Sequence, residues 1–109
     1  MAQRQDLIID QGSRFPWTYE VNGLSLAGMT ARMQIRKTPG GELYLDASDY
    51  LTVDVLNGLI IVDIPGSATT GATWRRGVYD IEVYNASMPS ISPFRVVQGD
   101  AELDREVTA

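Results

Sequence analysis

Two carboxylates with a spacing suited to acid–base chemistry follow Gly77 in the sequence. Asp80 and Glu82 alternate with apolar residues, so on a strand they share one face, about 7 Å apart. A glycoside hydrolase holds its two catalytic carboxyls at a comparable separation. The hypothesis that this chain is such a hydrolase predicts that Asp80 and Glu82 lie in a cleft and that at least one of them has a raised pKa. Acidic residues alternating with apolar ones are also typical of a strand that faces solvent. We favour the solvent-facing interpretation.

The residue types on which most catalysis depends are missing. The chain contains no histidine and no cysteine, which excludes Ser-His-Asp and Cys-His groups and the usual zinc and copper sites. Gly40-Gly41 follows a proline at the end of a strand-like segment, without the strand-to-helix context of a phosphate-binding loop. We therefore predict a protein that is not an enzyme and has no catalytic, metal or cofactor site.

A second row of carboxylates occupies alternate positions near the end of the sequence, at Asp100, Glu102, Asp104 and Glu106. On a strand they line one face, where such a row could collect calcium ions. Calcium sites, however, prefer carboxylates and carbonyls that converge in a loop. Charges on a terminal strand more often prevent unwanted pairing between sheets, and we favour that interpretation.

Aromatic residues offer another chemistry, the stacking of rings on sugars. Phe15, Trp17 and Tyr19 alternate with polar residues and share one strand face, as they would in a carbohydrate-binding module. A small sandwich needs bulky inward residues, so we predict that Trp17 and Trp74 are structural. The carbohydrate alternative predicts that one of these tryptophans is exposed.

Five other residues are candidates for an interface with another protein. Tyr44, Tyr50 and Tyr84 are expected at the surface, and aromatics are enriched in protein interfaces. Met88 and Ile91 lie in a proline- and serine-rich stretch that predicts a long exposed loop.

Short strands are the elements predicted to position these residues. Six segments alternate apolar and polar residues with period two, most clearly over residues 14–21. Between them stand breaks that contain glycine or proline. The strongest hairpin signal joins residues 51–55 to residues 59–64 through Asn57-Gly58.

The second half of the chain adds two turns to this pattern. A capped helical turn is predicted over residues 67–70, with the tryptophan that follows as its anchor in the core. A tight turn is predicted at Gly99-Asp100, which would separate two final strands over residues 94–98 and 101–107.

Together these elements predict one domain, residues 1–109, with an all-β fold. The expected architecture is a single antiparallel immunoglobulin-like β-sandwich of about seven to eight strands with one short helical turn. Tyr79, close behind a glycine and opening a strand, matches the tyrosine corner of such sandwiches. There the ring is buried and its hydroxyl bonds to nearby backbone.

Composition limits the class of partner. The net charge is −5 and the nine basic residues are scattered, which argues against nucleic acid. No apolar stretch approaches the roughly 20 residues that span a bilayer, so no membrane insertion is expected. A polar start unlike a signal peptide and the absence of cysteine favour folding in a reducing cytoplasm.

Six motifs follow one another along nearly the whole chain. They are DLIIDQG (6–12), LAGMTARMQIR (26–36), GLIIVDIP (58–65), ATT (68–70), GVYDIEV (77–83) and VQGD…EVT (97–108). In this order and spacing the chain resembles a family of small β-sandwich structural proteins of tailed bacteriophages. Members occur as virion components and as N-terminal attachment domains of baseplate or tail-fibre proteins.

The resemblance implies a non-enzymatic structural subunit of the virion, in the tail, the baseplate or the head-to-tail or fibre-attachment region. Its partners would be other virion proteins, in several copies around the tail axis, and it would be made in the cytoplasm of the host bacterium. The loop over residues 86–93 departs from the short hairpin that is usual in the family. Met88 and Ile91 of this insertion are candidate docking contacts for a neighbouring virion protein, and the alternative is a loop that is merely longer. The alternative function is a carbohydrate- or receptor-binding β-sandwich module.

Overall fold

The structure, a computed structural model, describes residues 2–105. Its strands in that range are β1 (Gln3–Arg4), β2 (Leu7–Asp10), β3 (Phe15–Glu20), β4 (Thr30–Arg36), β5 (Leu43–Asp46), β6 (Leu51–Asp54), β7 (Leu59–Ile64), β8 (Arg76–Tyr84) and β9 (Phe94–Asp104). Glu106 and the end of the predicted last strand lie outside the described residues. None of the helices found within residues 2–105 is long and apolar enough to cross a membrane.

The strands form two sheets that pack face to face. In the larger sheet β9, β8, β4 and β5 are neighbours in that order, and β1 and β2 follow one another along the free side of β9. The smaller sheet has the order β3, β7, β6. Because β1 and β2 share one edge position, the described chain has eight strand positions, which agrees with the predicted all-β sandwich.

Alternation along the strands determines which face is buried. In β8 the side chains of Tyr79, Ile81 and Val83 are buried, and those between them are partly exposed. Met33 stands opposite Ile81 on β4, and Val97 stands opposite it on β9; both are fully buried. Inward residues of both sheets form one core cluster, because only that arrangement removes both apolar faces from water.

The hairpin predicted around Asn57-Gly58 is present, as an antiparallel pair of β6 and β7 that closes with Asp54 opposite Leu59. Gly58 has a φ of +67°, whereas Asn57 does not take a positive φ. The Asp54 carboxylate accepts hydrogen bonds from the Asn57 backbone N–H at 3.2 Å and from its side-chain amide at 2.9 Å. These hydrogen bonds stabilise a four-residue connection, residues 55–58, in which only Gly58 has a left-handed backbone conformation.

The first two strands depart from the predicted antiparallel arrangement. Both β1 and β2 pair with β9 in parallel, with Leu7 opposite Ala101 and Asp10 opposite Asp104. After β2 the chain crosses to the smaller sheet, where β3 pairs with β7. No hairpin therefore dictates the direction of the first strand relative to the last. The other ladders of the described chain are antiparallel.

The tight turn predicted at Gly99-Asp100 is wrong, because β9 continues through this position without a break. Gly99 stands opposite Tyr79 in the β8–β9 ladder. A Cβ at Gly99 would lie 2.3 Å from the carbonyl oxygen of Gln5. The glycine thus permits the close approach of the N-terminal segment, which is a known function of glycine within strands.

A helical turn is present near the predicted position, as a 3-10 turn over Gly66–Ala68 followed by the buried Thr69. The predicted cap is wrong, because Pro65 precedes this turn and no side chain caps it. The Thr69 hydroxyl accepts a hydrogen bond of 2.9 Å from the backbone N–H of Gly12, which ties the turn to the β2–β3 connection. Trp74 lies in the core beyond it. A second 3-10 turn, over Ser48–Tyr50, joins β5 to β6 and is additional to the one predicted.

Tyr79 has a buried ring, but its hydroxyl bonds differently from that of a tyrosine corner. The phenol donates to the backbone carbonyl of Gln5, far away in sequence. Burial, and secondarily the carboxylate of Asp6, raise the pKa of Tyr79 well above its ordinary value, so the hydroxyl keeps its proton. Asp6 itself accepts a hydrogen bond of 2.9 Å from the backbone N–H of Asp100. These bonds hold the N-terminal segment to the larger sheet.

Substitution Tyr79→Phe is expected to lower the free energy of unfolding by about 1 kcal/mol, because it removes this hydrogen bond and keeps the ring. Urea denaturation monitored by tryptophan fluorescence would measure the loss. Tyr84→Phe is the matched control on the same strand, since the contact of the Tyr84 ring with the Arg32 guanidinium does not require a hydroxyl. Equal stabilities of the two variants would contradict the assigned function of the Tyr79 hydroxyl.

Candidate functional site

Asp80 and Glu82 lie on the outer face of β8, where the alternation places them. They border an open depression of about 390 Å³ on the larger sheet, which extends between β4 and β9. Charges of both signs line it: Arg4, Arg36, Arg95, Asp80, Glu82 and Asp100.

Each carboxylate of the pair is held by an arginine. The closest atoms of Asp80 and Arg95 are 3.2 Å apart, and those of Glu82 and Arg32 are 2.8 Å apart. Partial burial, and secondarily the like charge of Glu82, raise the pKa of Asp80 despite the opposing effect of Arg95. A raised pKa is one property that the hydrolase hypothesis predicts. The arginine pairing nevertheless accounts for both carboxylates without a catalytic function.

We expect Asp80 to titrate above, and Asp46 below, the ordinary range for aspartate when side-chain carboxyls are followed by ¹³C NMR. Hydrogen bonds from Ser48 lower the pKa of Asp46 in the folded state. Asp46 therefore contributes stability above its unfolded pKa, and this contribution is lost as the pH falls through the folded value. Asp80 has the opposite sign: its ionisation destabilises the fold above the folded pKa, and this cost disappears on acidification.

The matched control for this titration is Glu82→Gln, which removes the neighbouring charge and should lower the midpoint of Asp80 while leaving that of Asp46 in place. Coincident midpoints for Asp80 and Asp46 in the parent protein would contradict the prediction.

The interpretation of the acidic row as protection of a free edge is wrong, because β9 pairs with β8 on one side and with β1 and β2 on the other. Two members of the row are in ion pairs. Asp100 lies 3.3 Å from Arg4, and Glu102 lies 3.1 Å from Arg76. Within residues 2–105 no group of three or more carboxylates is placed to hold a metal ion. Glu106, the last member of the row, lies outside the described residues.

The aromatic row of β3 faces the core. Trp17 lies 6.4 Å from Phe15 and 5.8 Å from Tyr19 between ring centroids, and it meets Tyr79 edge-on at 6.2 Å. These rings are partly buried and pack against the core cluster. The Tyr19 hydroxyl crosses to the other sheet and donates to the Val96 carbonyl at 3.2 Å. The row therefore links the two sheets.

Neither tryptophan is exposed as the carbohydrate alternative predicts. Trp74 is only 9% exposed and stacks face to face with Tyr44, with ring centroids 5.3 Å apart and an interplanar angle of 4°. Trp17 is partly buried and packs against the core cluster.

The five candidate interface residues do not form one site. Tyr44, which lies on β5, stacks on the ring of Trp74. Tyr50 packs against the core just before β6 begins. Tyr84 ends β8 beneath the guanidinium of Arg32, which is 4.9 Å from its ring centroid. Met88 and Ile91 follow in the connection to β9 and are 50% and 43% exposed. The structure thus brings Tyr84, Met88 and Ile91 to one end of the sandwich.

Three connections meet at that end: residues 21–29, 55–58 and 85–93. Together with Phe94, the first residue of β9, we call them the loop end. The backbone N–H of Val21 donates to the carbonyl of Gly58 at 2.8 Å, which joins the first connection to the second. The side-chain amide of Asn85 lies 3.6 Å from the position of a Cβ on Gly28, which places the third beside the first.

Exposed apolar side chains are concentrated at the loop end. Seven large ones are exposed in the described chain, and five belong to this end: Val55, Leu56, Met88, Ile91 and Phe94. Leu56 is 93% exposed. Ile8 and Leu43 are exposed on other strands. Sequence reasoning missed Val55, Leu56 and Phe94, although Leu56 belongs to the connection of the predicted hairpin.

No family model matches the chain, and no curated protein matches it. Among solved structures, the crystal structure of a chicken TCR is similar, with a TM-score of 0.58 and 12% sequence identity. The match covers 96% of this chain and 56% of the TCR chain, so this chain spans little more than half of that length. A likeness at this identity concerns the fold and not the function. It confirms that the protein is an immunoglobulin-like β-sandwich.

Proposed function

We propose that this protein is a non-enzymatic structural subunit of a tailed-phage virion, in the tail, the baseplate or the head-to-tail or fibre-attachment region. The order of the sequence motifs supports the phage setting. The concentration of exposed apolar side chains at the loop end is the single observation that carries a function in assembly.

Exposing the apolar side chains of the loop end to water costs free energy, and the core does not need these side chains. The inward residues of both sheets already form a continuous cluster, and the exposed side chain of Leu56 adds nothing to it. Covering a side chain of this size contributes about 1.5–3 kcal/mol. Groups of exposed apolar residues mark surfaces that bind other proteins. A protein partner is therefore the occupant that makes this arrangement favourable.

In this function the partners are other virion proteins, and several copies surround the tail axis. The protein is made in the host cytoplasm and acts in the particle. Edge strands offer an additional mode of contact, because β5 and β6 each have one unpaired side. Such backbone can extend a sheet into a neighbouring subunit.

Quantitative mass spectrometry of particles from the phage that encodes this chain tests the proposal. We expect the chain to accompany density-banded particles at a fixed ratio of several copies per particle. Particles of an unrelated phage, grown in a host that expresses the chain, control for adsorption. Complete and infectious particles that lack the chain would contradict the proposal.

A further inference from the structure

The loop end has no charged residue, although 21% of the chain is charged. The uncharged runs around its three connections extend over residues 21–31, 55–62 and 83–94. The connections at the opposite end, by contrast, all contain charge: Arg14 after β2, Lys37 and Glu42 after β4, and Arg75 after β7. The sandwich is thus polarised along its strands.

Charges return where the strands leave the loop end. Glu20 ends β3 and Asp54 ends β6, while Arg32 and Glu82 form an ion pair of 2.8 Å across β4 and β8. Arg95 follows Phe94 directly. An apolar centre within a polar rim is the usual anatomy of a protein–protein interface.

A surface of this kind selects the chemistry of its partner. A charge on the partner that was buried against the loop end would lose water and gain no counter-charge, which costs several kcal/mol. Nucleic acids, anionic polymers and charged peptides are therefore poor occupants. The matching surface is itself apolar and uncharged.

A second copy of this chain presents such a surface. Two copies with a net charge of −5 each repel one another, and a contact through their loop ends keeps the charged faces of the sheets apart. Charges separated by more than the Debye length of about 8 Å at physiological ionic strength are largely screened. A two-fold axis through the contact would place the same uncharged surface of each copy against that of the other, so that no like charges face one another at its centre.

We propose that the loop end is a self-association surface at which two copies of this chain meet end to end across a two-fold axis. Leu56 from one connection and Met88 and Ile91 from another supply the apolar centre of the contact. The inference rests on the proposed assembly function but not on the virion setting. Because one end of a small domain offers limited area, the contact is weak and depends on concentration.

Sedimentation equilibrium of the purified protein tests the contact over roughly 10 µM to 1 mM, a range in which weak association is populated. We expect a monomer–dimer equilibrium, and Leu56→Asp and Ile91→Asp should each raise its dissociation constant at least about tenfold. Leu43→Asp is the matched control, because Leu43 is 44% exposed on β5 and the substitution adds the same charge. Circular dichroism would verify that each variant is folded.

Disulfide trapping locates the contact, since the chain has no cysteine of its own. Ser90→Cys at the loop end should form a cross-linked dimer on mild oxidation much faster than Ser67→Cys, which is exposed at the opposite end. Higher salt should leave the association intact, because no charge pair lies at its centre.

A monomer at all concentrations, an unchanged constant for both aspartate variants, or equal trapping of the two cysteine variants would overturn the end-to-end contact. A heterologous partner at the loop end would give the first of these results. None of them bears on particle composition, so the particle experiment can fail or succeed separately.

Discussion

Substitution Ile81→Ala is expected to lower the free energy of unfolding by about 3–4 kcal/mol, in the middle of the range of about 2–5 kcal/mol for truncating a buried isoleucine to alanine. Ile81 is inaccessible to solvent at the centre of β8, between Met33 on β4 and Val97 on β9. All three side chains face the smaller sheet across the core. Removing atoms from Ile81 leaves a cavity there, because β4 and β9 cannot move in to fill it without breaking their hydrogen bonds to β8.

Urea denaturation at 25 °C would measure this loss as a lower midpoint with an unchanged slope. A domain of this size has a total stability of about 5–15 kcal/mol, so the variant would stay folded in water but melt well below the parent. Ile8→Ala is the matched control, because Ile8 is 63% exposed on β2 and its truncation should change stability by less than about 0.5 kcal/mol. If the loss for Ile81→Ala were below about 1 kcal/mol, the assigned core would be wrong.

The core could be predicted from the sequence because it depends on local periodicity. Tyr79, Ile81 and Val83 alternate with polar residues, and an extended backbone places such residues on one face whatever the neighbouring strands are. The hairpin at Asn57-Gly58 could also be predicted, because its two strands are adjacent in sequence. The likeness to a TCR chain extends this agreement to the whole fold class.

Features that depend on distant residues were not predictable in this way. The parallel pairing of β2 with β9 joins segments at opposite ends of the chain, and no local signal gives the direction of that pairing. The loop end is a similar case. Met88 and Ile91 stand in an evident loop, but only the strand pairing places Val55 and Leu56 at the same end of the molecule. Its uncharged runs can be read from the sequence, but only the strand topology shows that they lie at the same end of the molecule.

Gly99 shows how a local signal misleads when a distant contact decides the outcome. Glycine followed by aspartate favours a turn, yet Gly99 lies within β9 beneath the carbonyl of Gln5. We expect Gly99→Ala to lower the free energy of unfolding by about 2–3 kcal/mol, because the new methyl group must displace backbone. Gly71→Ala is the matched control, since a Cβ there meets no atom within 4 Å and should be neutral or slightly stabilising.

Amide hydrogen exchange would distinguish close approach from a turn as the reason for this glycine. The Gln5 N–H donates to the carbonyl of Gln98 at 2.9 Å, and the Asp100 N–H donates to the side chain of Asp6. Both bonds depend on the N-terminal segment lying against Gly99, so both amides should exchange faster in Gly99→Ala, while the amide of Ile81 keeps its protection until global unfolding. A glycine needed only for a turn would lower stability without freeing the Gln5 amide first. Unaltered exchange at Gln5 together with a stability loss would therefore contradict close approach, because the methyl group cannot occupy its position while that segment stays in place.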